Sequence, residues 1–514
     1  MAPEIDKDVL KEIERLTASC LGEVNYSVAG VTGLDSSHIL ITKKIGTVHQ
    51  FVALLPLGSF GHVSDAEAAD CIAVIAEEAR HANENGVCHR GVASINIDDA
   101  ASAMAEKVRR ALILVDMTKT TVISHDSAHC IELGCEDISH CKCLSSAIAL
   151  ARDIICFVNI DRIGRIKKDM VATKLIPSCG DGVMFSEPRM YLTCDVLASA
   201  RKQQPFTSLV AGNGSYIGYR SELGIEDRVH LDAMLMKFTR NAFDRIDLAA
   251  KVFEPFKYAV HVVSSEQLPI SAYFPLIVAL RTALSAHVRD AAFDAIFGAG
   301  AGAEVEEALK LRFNMDGKKP AGVNLAVLDP YHLFACFCDP FSRQLGLGWD
   351  EFIDGGVTAV ITGILEWAYP GDGAVAKEMR FKLQLELMAF HTGTGKYKYK
   401  FANAAAPFAD WHLLTMKDVS EWVVRTGGIE SRIAWFETFA KDELFYRDIA
   451  KPLLSLGVAG STTLERAVKP FKNAVATEEN GRLLDRESPM LVRAGLNLRF
   501  LQHAKMQMGG VLEL

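Results

Sequence analysis

The sequence predicts an α/β protein: a mixed sheet with flanking helices, interrupted by a large, mostly helical insertion. Three observations carry that prediction. Three β-patterned runs joined by short connections fill the region before residue 58. Helix-period and strand-period segments then alternate to about residue 140. From about Ala147 to Ala389 the apolar spacing is mostly helical, with loops near "IPSCGDG" and "AGNGSY".

The first run, "EVNYSVAG", combines β-formers with a closing glycine. "SHILITKK" alternates and is β-branched, and "GTVHQFVALLPL" is a third such run. "GLDSS" and "KIG" between them are short, which implies an antiparallel meander. A helix follows in "SDAEAADCIAVIAEEARHANENG", where Ser64 and Glu67 have capping-box spacing. Ile72, Ile75 and Ala79 share one face of it, and Gly86 is a stop. "GVASINI" reads as a strand, "DAASAMAEKVRRAL" as a helix, "TTVISH" as a strand and "SAHCIELGCEDI" as a helix. The order β-β-β-α-β-α-β-α is that of an RNase H-like fold, which places acids on the first strand and at the end of the fourth.

Farther on, "HLDAMLMKFTRNAFDRIDLAAKVFEPF" and "PISAYFPLIVALRTALSAHVRDAAFDAIF" are long helical stretches. No fixed-period repeat is found. "YRDIAKPLLSLGVAGSTTLERAVKPFKNAV" reads as helix, small-residue loop, helix, and "SPMLVRAGLNLRFLQHAK" as a final amphipathic helix. At roughly 100–200 residues per domain, the chain of 514 residues should hold two to four. The expected layout is an N-terminal helix over 1–20, a first core segment over 21–146, the helical insertion over 147–400 and a closing core and dimerisation region over 401–514.

Composition is that of a folded soluble protein, with 49% hydrophobic and 23% charged residues. A net charge of −9 and the lack of a strongly cationic segment argue against a dedicated nucleic-acid-binding tail. The start, "MAPEIDKDVLKEIERL", reads as a short amphipathic helix and not as a charged-then-apolar leader. With twelve cysteines, reduced thiols and an intracellular setting are the expectation. No uncharged apolar run reaches ~18 residues, so no membrane span is expected.

Asp98 and Asp99 in "INIDDAASAM" stand at the end of the fourth predicted strand. An acid there suits a metal-dependent enzyme, whereas the simpler reading is a helix N-cap. Glu465 by itself reads as a solvated helix residue. The segment from His125 to Cys143 is rich in metal-ligand types. His125 and His129 are one helical turn apart, and Cys141 and Cys143 would complete a zinc site. The spacing matches no standard finger, and packing of small apolar thiols explains it better. "HTGTGKYKYKF" interleaves Lys396, Lys398 and Lys400 with tyrosines, so as a strand it would set the lysines on one face for phosphate contact or simply for solvent. "FGAGAGAEVEEALK" lacks a P-loop Lys-Ser/Thr and crowds acids at the helix start, which excludes a nucleotide site.

Four segments resemble the hAT superfamily of transposases and the proteins derived from them. "INIDDAASAM" resembles the Asp-Asn-Ala-x-Asn segment, with Asp98 at the catalytic acid and Asp99 where Asn is usual. "DSAHCIELGCEDI" resembles the Cys-Ala-Ala-His segment preceding an Asp-Ile pair: His129, Leu133, Asp137 and Ile138 match, while Asp126 replaces the cysteine. "LLSLGVAGSTTLERAVKPF" is similar to the Ser-x-x-Glu-Arg motif, giving Glu465 as the third acid and Arg466 beside it. "RLLDRESPMLVRAGLNLRFL" is similar to the closing segment, which ends in Asn497. The resemblance implies an RNase H-like core split by a helical insertion, a nuclear location, and a C-terminal dimerisation surface around Trp435, Phe436, Leu453 and Leu496. Those four residues equally suit an ordinary core.

The departures decide the functional expectation. The first catalytic Asp of the family lies in an Asp-Gly-Trp-Thr segment; here "VAGVTG" aligns Gly30 and Thr32 but puts Ala29 in place of the acid and Val31 in place of the tryptophan. No Cys-x2-Cys with paired histidines precedes the first strand. Phosphodiester chemistry on this fold needs two Mg²⁺ ions about 3.5–4 Å apart, bridged by carboxylates, and alanine supplies no ligand. Glu23 and Asp35 lie six residues from position 29, roughly 20 Å along a strand. The expectation is a transposase-derived protein with a vestigial pair, Asp98 and Glu465, needing no cofactor and acting by homodimerisation or another protein partner, with residual DNA affinity at most. The alternatives are an active Mg²⁺-dependent DNA transposase and, weaker, a zinc protein built on His125–Cys143.

Overall fold

The computed structural model describes residues 24–32, 37–45, 48–57, 64–84, 92–97, 122–182, 192–264, 268–313, 327–346, 356–369, 371–397 and 413–458. The strands are β1 (Val24–Thr32), β2 (Ser37–Ile45), β3 (Val48–Leu57), β4 (Val92–Ile97) and β5 (Val122–His125). The helices are α1 (Asp65–Glu84), α2 (Ser127–Ser139), α3 (Lys142–Val158), α4 (Asp161–Ala172), α5 (Thr193–Lys202), α6 (Gln204–Leu209), α7 (Gly214–Glu222), α8 (Ile225–Lys237), α9 (Arg240–Val263), α10 (Ile270–Val288), α11 (Ala291–Phe297), α12 (Ala301–Arg312), α13 (Pro330–Cys338), α14 (Gly356–Ala368), α15 (Ala374–Thr392), α16 (Met416–Thr426), α17 (Ile429–Phe439) and α18 (Lys451–Leu454). The expected N-terminal helix over 1–20, the helix of "DAASAMAEKVRRAL" and the segments beyond Val458 lie outside the described residues.

The expected α/β class, with an RNase H-like mixed sheet, is corrected by the structure: the described residues are mostly helical. The five strands form a minor part of them. The reason is one of weight. The period-2 runs are confined to the first quarter of the sequence, and the 3.6-residue spacing that follows turns nearly all the remaining described chain into helix.

The chain divides into two compact units. One comprises 1–130, 262–276 and 315–514; the other comprises 131–261 and 277–314. The first unit carries the sheet, in the order β3-β2-β1-β4-β5. β1, β2 and β3 pair antiparallel, while β1–β4 and β4–β5 pair parallel. Ile39, Leu40, Ile41 and Thr42 of β2 are buried in succession. Because side chains alternate across a strand, both faces of the sheet are covered there. α1 begins with the predicted capping box: the Ser64 amide donates to Glu67 Oε2 at 2.6 Å and the Glu67 amide to Ser64 Oγ at 3.2 Å. It buries Ala68, Cys71, Ile72 and Ile75, one stripe at i, i+3, i+4 and i+7.

The helical part of this unit is built on Phe390 of α15, with Phe436 (5.7 Å) and Phe445 (4.9 Å) around its ring. An isolated bridge, Pro269 with Gly457, joins the middle segment to the later part of the unit. The Ile270 amide donates to Leu456 O at 3.1 Å and the Val458 amide to Leu268 O at 3.0 Å.

The second unit packs around Phe157 of α3, whose ring meets Phe206 (6.4 Å), Tyr216 (6.5 Å) and Phe238 (5.4 Å). Buried Lys167 donates to Gly180 O at 2.7 Å, and buried Gln203 donates to Cys179 O at 3.1 Å; together they pin the loop after α4. Buried Glu306 pairs with Arg281 at 2.6 Å and Arg289 at 3.1 Å. The two long stretches read as continuous are each broken, the first at Phe238–Thr239 and the second at Asp290, whose side chain caps α11 through the Ala292 amide at 2.9 Å. One described helix, Ile270–Val288, is long and apolar enough to cross a membrane, and 67% of its most apolar window is buried inside the protein, as in a core helix.

Candidate functional site

In parallel sheets, ligands are usually held outside the carboxyl ends of the strands. The carboxyl ends of β4 and β5 stand in register, beside the middle of β1. Val28 of β1 pairs with Ile97 of β4, and Ile97 pairs with His125 of β5. Ala29 follows Val28 and faces Leu40 across the antiparallel ladder. β4 ends at Ile97, one residue before Asp98. The β1 position next in line beside the end of β4 therefore carries a methyl group, with no oxygen for a cation. Asp98 and Asp99 lie outside the described residues, as do Glu465, Arg466, Leu496 and Asn497.

Beyond β5, Asp126 opens α2. Its Oδ1 accepts the backbone amides of Ala128 (2.8 Å) and His129 (3.2 Å), and its side chain is buried. Asp126 is thus a helix cap. Asp137, ten residues on in the same helix, is gripped by the Arg312 guanidinium, with Nη2 on Oδ1 at 3.2 Å and Nε on Oδ2. This fork anchors α12 to α2 within the second unit.

Beside the Asp126 cap, the buried Tyr273 hydroxyl donates to Ser127 O at 3.3 Å. Its ring centre lies 4.4 Å from that of His332, which lies 4.2 Å from Tyr331. His332 Nδ1 accepts the Asp329 amide at 3.0 Å, closing the start of α13. Burial drives the His332 pKa down to about 3. With Nδ1 an acceptor, the neutral ring carries its proton on Nε2.

The zinc candidates fare differently. Among the described residues, which include His125, His129, Cys141 and Cys143, no three His, Cys, Asp or Glu side chains form a group able to hold a metal. Burial first, and the nearby Glu304 carboxylate second, push the Cys141 thiol up to about 12 and the Cys143 thiol up to about 11. That environment keeps both thiols protonated at neutral pH.

Lys396 lies in a 3-10 turn, Gly395–Tyr397, and not in a strand. Gly393 (φ 65°) and Gly395 (φ 56°) are left-handed, which breaks an extended run at this point. Tyr397 is buried with its ring edge-on to Phe390 at 5.4 Å, while Lys398 and Lys400 lie outside the described residues. Phe436 is fully buried and stacks on Tyr446 at 5.1 Å; Leu453 is fully buried too, and half-buried Trp435 meets Phe436 at 4.9 Å. These residues of the expected dimerisation surface serve the interior of their unit. In the glycine-rich loop before α12, Asp294 accepts the Gly300 amide at 3.0 Å and the Gly302 amide at 2.8 Å, so the chain's own carboxylate fills the place a phosphate would take.

Sequence reading missed a fully buried ion pair of the first unit. Arg432 in the first turn of α17 is fully buried against Asp339, with Nε 2.5 Å from Oδ2. Ser271 Oγ donates to the same oxygen at 2.5 Å, and the Phe341 amide donates to Oδ1 at 2.8 Å. Arg432 also donates to Gly427 O (2.5 Å) and Gly428 O (3.0 Å) and lies over the Trp422 ring at 5.0 Å. The signal was a cation four residues before Phe436, on the same apolar face. No protein-family model matches the sequence, and no curated protein matches it.

Proposed function

We propose that the chain is a transposase-derived protein of the hAT type that has lost strand-transfer chemistry and acts through protein association, self-association first, with at most residual affinity for DNA. The hAT reading rests on the four sequence segments and their order. The loss of catalysis rests on one observation: Ala29 occupies the β1 position beside the end of β4, where the resembled enzymes carry their first acid. A two-metal site needs carboxylates that bridge both ions. With a methyl group at 29, Asp98 and Glu465 are too few to hold the pair.

The test is a strand-cleavage assay on labelled duplex DNA with Mg²⁺ or Mn²⁺, run on the chain and on Asp98→Ala and Glu465→Ala. The three proteins should give the same background. Metal-dependent nicking by the unaltered chain that disappears in Asp98→Ala would restore the enzyme reading.

A further inference from the structure

We propose that the outward face of α8 is a self-association surface, pairing antiparallel with the same helix of a second copy. The proposal rests on the self-association reading above and adds the surface and its geometry. The inward side of α8 is accounted for: Leu231 and Met234 are buried, and Phe238 just past its end packs edge-on against Phe157. The outward side carries Ile225 (81% exposed), Val229 (62%) and Met236 (81%), with exposed Ala233 between them.

Spacings of four, four and three residues align these four side chains along one side of the helix. Single exposed apolar residues are ordinary on a protein surface; a continuous stripe marks an interaction face.

Charge selects the occupant. Glu226 and Asp227 sit in the first turn of α8 and Lys237 in its last. A parallel copy would set like charges side by side. An antiparallel copy sets Glu226 against the second copy's Lys237, and two-fold symmetry makes that contact twice. Val229 then faces the second copy's Ala233, whose small side chain lets the axes approach to about 8–10 Å. Lys237 also holds Asp153 at 2.8 Å, yet 56% of its side chain stays exposed, so it can serve both. A helix of 13 residues is about 20 Å long. One such pair buries less than the roughly 1,200–2,000 Å² of a stable interface, so the dimer should be weak and concentration-dependent.

Sedimentation equilibrium of the full chain over a concentration series, at low salt, tests this. The unaltered chain should show a monomer–dimer equilibrium. Val229→Glu and Met236→Glu should each weaken it at least about tenfold, with unchanged thermal melts, since both sites are exposed. Glu226→Lys should weaken it, and adding Lys237→Glu should recover it, because only the antiparallel arrangement restores opposite charges. Leu385→Glu, on the separate exposed stripe of α15, should leave it unchanged (Leu385 is 57% exposed). A dimer indifferent to Val229→Glu, or lost on Leu385→Glu instead, overturns the α8 assignment and leaves self-association standing. A strict monomer at the highest concentration overturns both.

Discussion

Cutting one end of the Arg432–Asp339 pair should destabilise the protein far more than exchanging both ends. Both side chains are fully withdrawn from solvent. In Arg432→Met the Asp339 carboxylate keeps the Ser271 hydroxyl and the Phe341 amide but loses its only cation in the network. Gly427 O and Gly428 O lose their donor as well. An uncompensated buried charge costs roughly 3–5 kcal/mol. At about 2.1 cal/mol/K of unfolding entropy per residue, a chain of this size shifts by about 1 °C per kcal/mol, so the melting temperature should fall by roughly 3–5 °C. Asp339→Leu alone should cost a similar amount, because it strands the guanidinium. The double variant Arg432→Met/Asp339→Leu should recover much of the loss, because the carbonyls of half-buried Gly427 and Gly428 can turn to water for a donor. Thermal and urea unfolding followed by circular dichroism would give the four corners of the cycle. A single-variant loss below about 1 kcal/mol, or simple additivity in the double variant, would refute a buried, mutually dependent pair.

Further outcomes follow from the same geometry. Gly302→Ala should destabilise by roughly 1–3 kcal/mol in thermal unfolding, although Ala is the better helix former, because a Cβ there would lie 2.2 Å from Val288 O. His332 is held neutral with a folded value near 3, below the ~6.5 of an unfolded histidine. Its contribution is therefore complete above pH ~6.5 and is lost as the pH falls toward 3, with a slope of up to about 1.4 kcal/mol per pH unit that His332→Asn should flatten in urea titrations. Phe436→Ala should cost roughly 3–5 kcal/mol of stability in thermal unfolding, since its ring is core. Among the ten described cysteines only Cys156 is exposed, so a thiol-reactive dye should label that site within the dead time and the nine buried ones only on unfolding.

The strands were legible because each is a local statement: β-branched and aromatic residues in alternation, bounded by glycine. The Ser64–Glu67 box was legible for the same reason, three residues apart. What failed was the inference from segments to class, since strand patterns in the first quarter say nothing of how much helix follows. The break at Thr239 escaped notice because the apolar spacing continues through it. The Arg432–Asp339 pair spans 93 residues, and neither residue announces the other. At the candidate site, the sequence shows an alanine at position 29. Its neighbourhood was not legible there, because the register that sets Val28 beside Ile97 is made between strands more than sixty residues apart.

Asp126 shows why an acid near a strand end is not by itself a cation ligand. The amides of Ala128 and His129 converge on its Oδ1 at the positive end of the α2 macrodipole. That field favours an anion and opposes a divalent cation in the same place. Asp294 answers the same demand at the start of α12. A metal-binding carboxylate instead needs a second acid close by, so that the ion and not a helix neutralises it. Along β1 the residue after Val28, the partner of Ile97, is an alanine, so that position brings no carboxylate of its own.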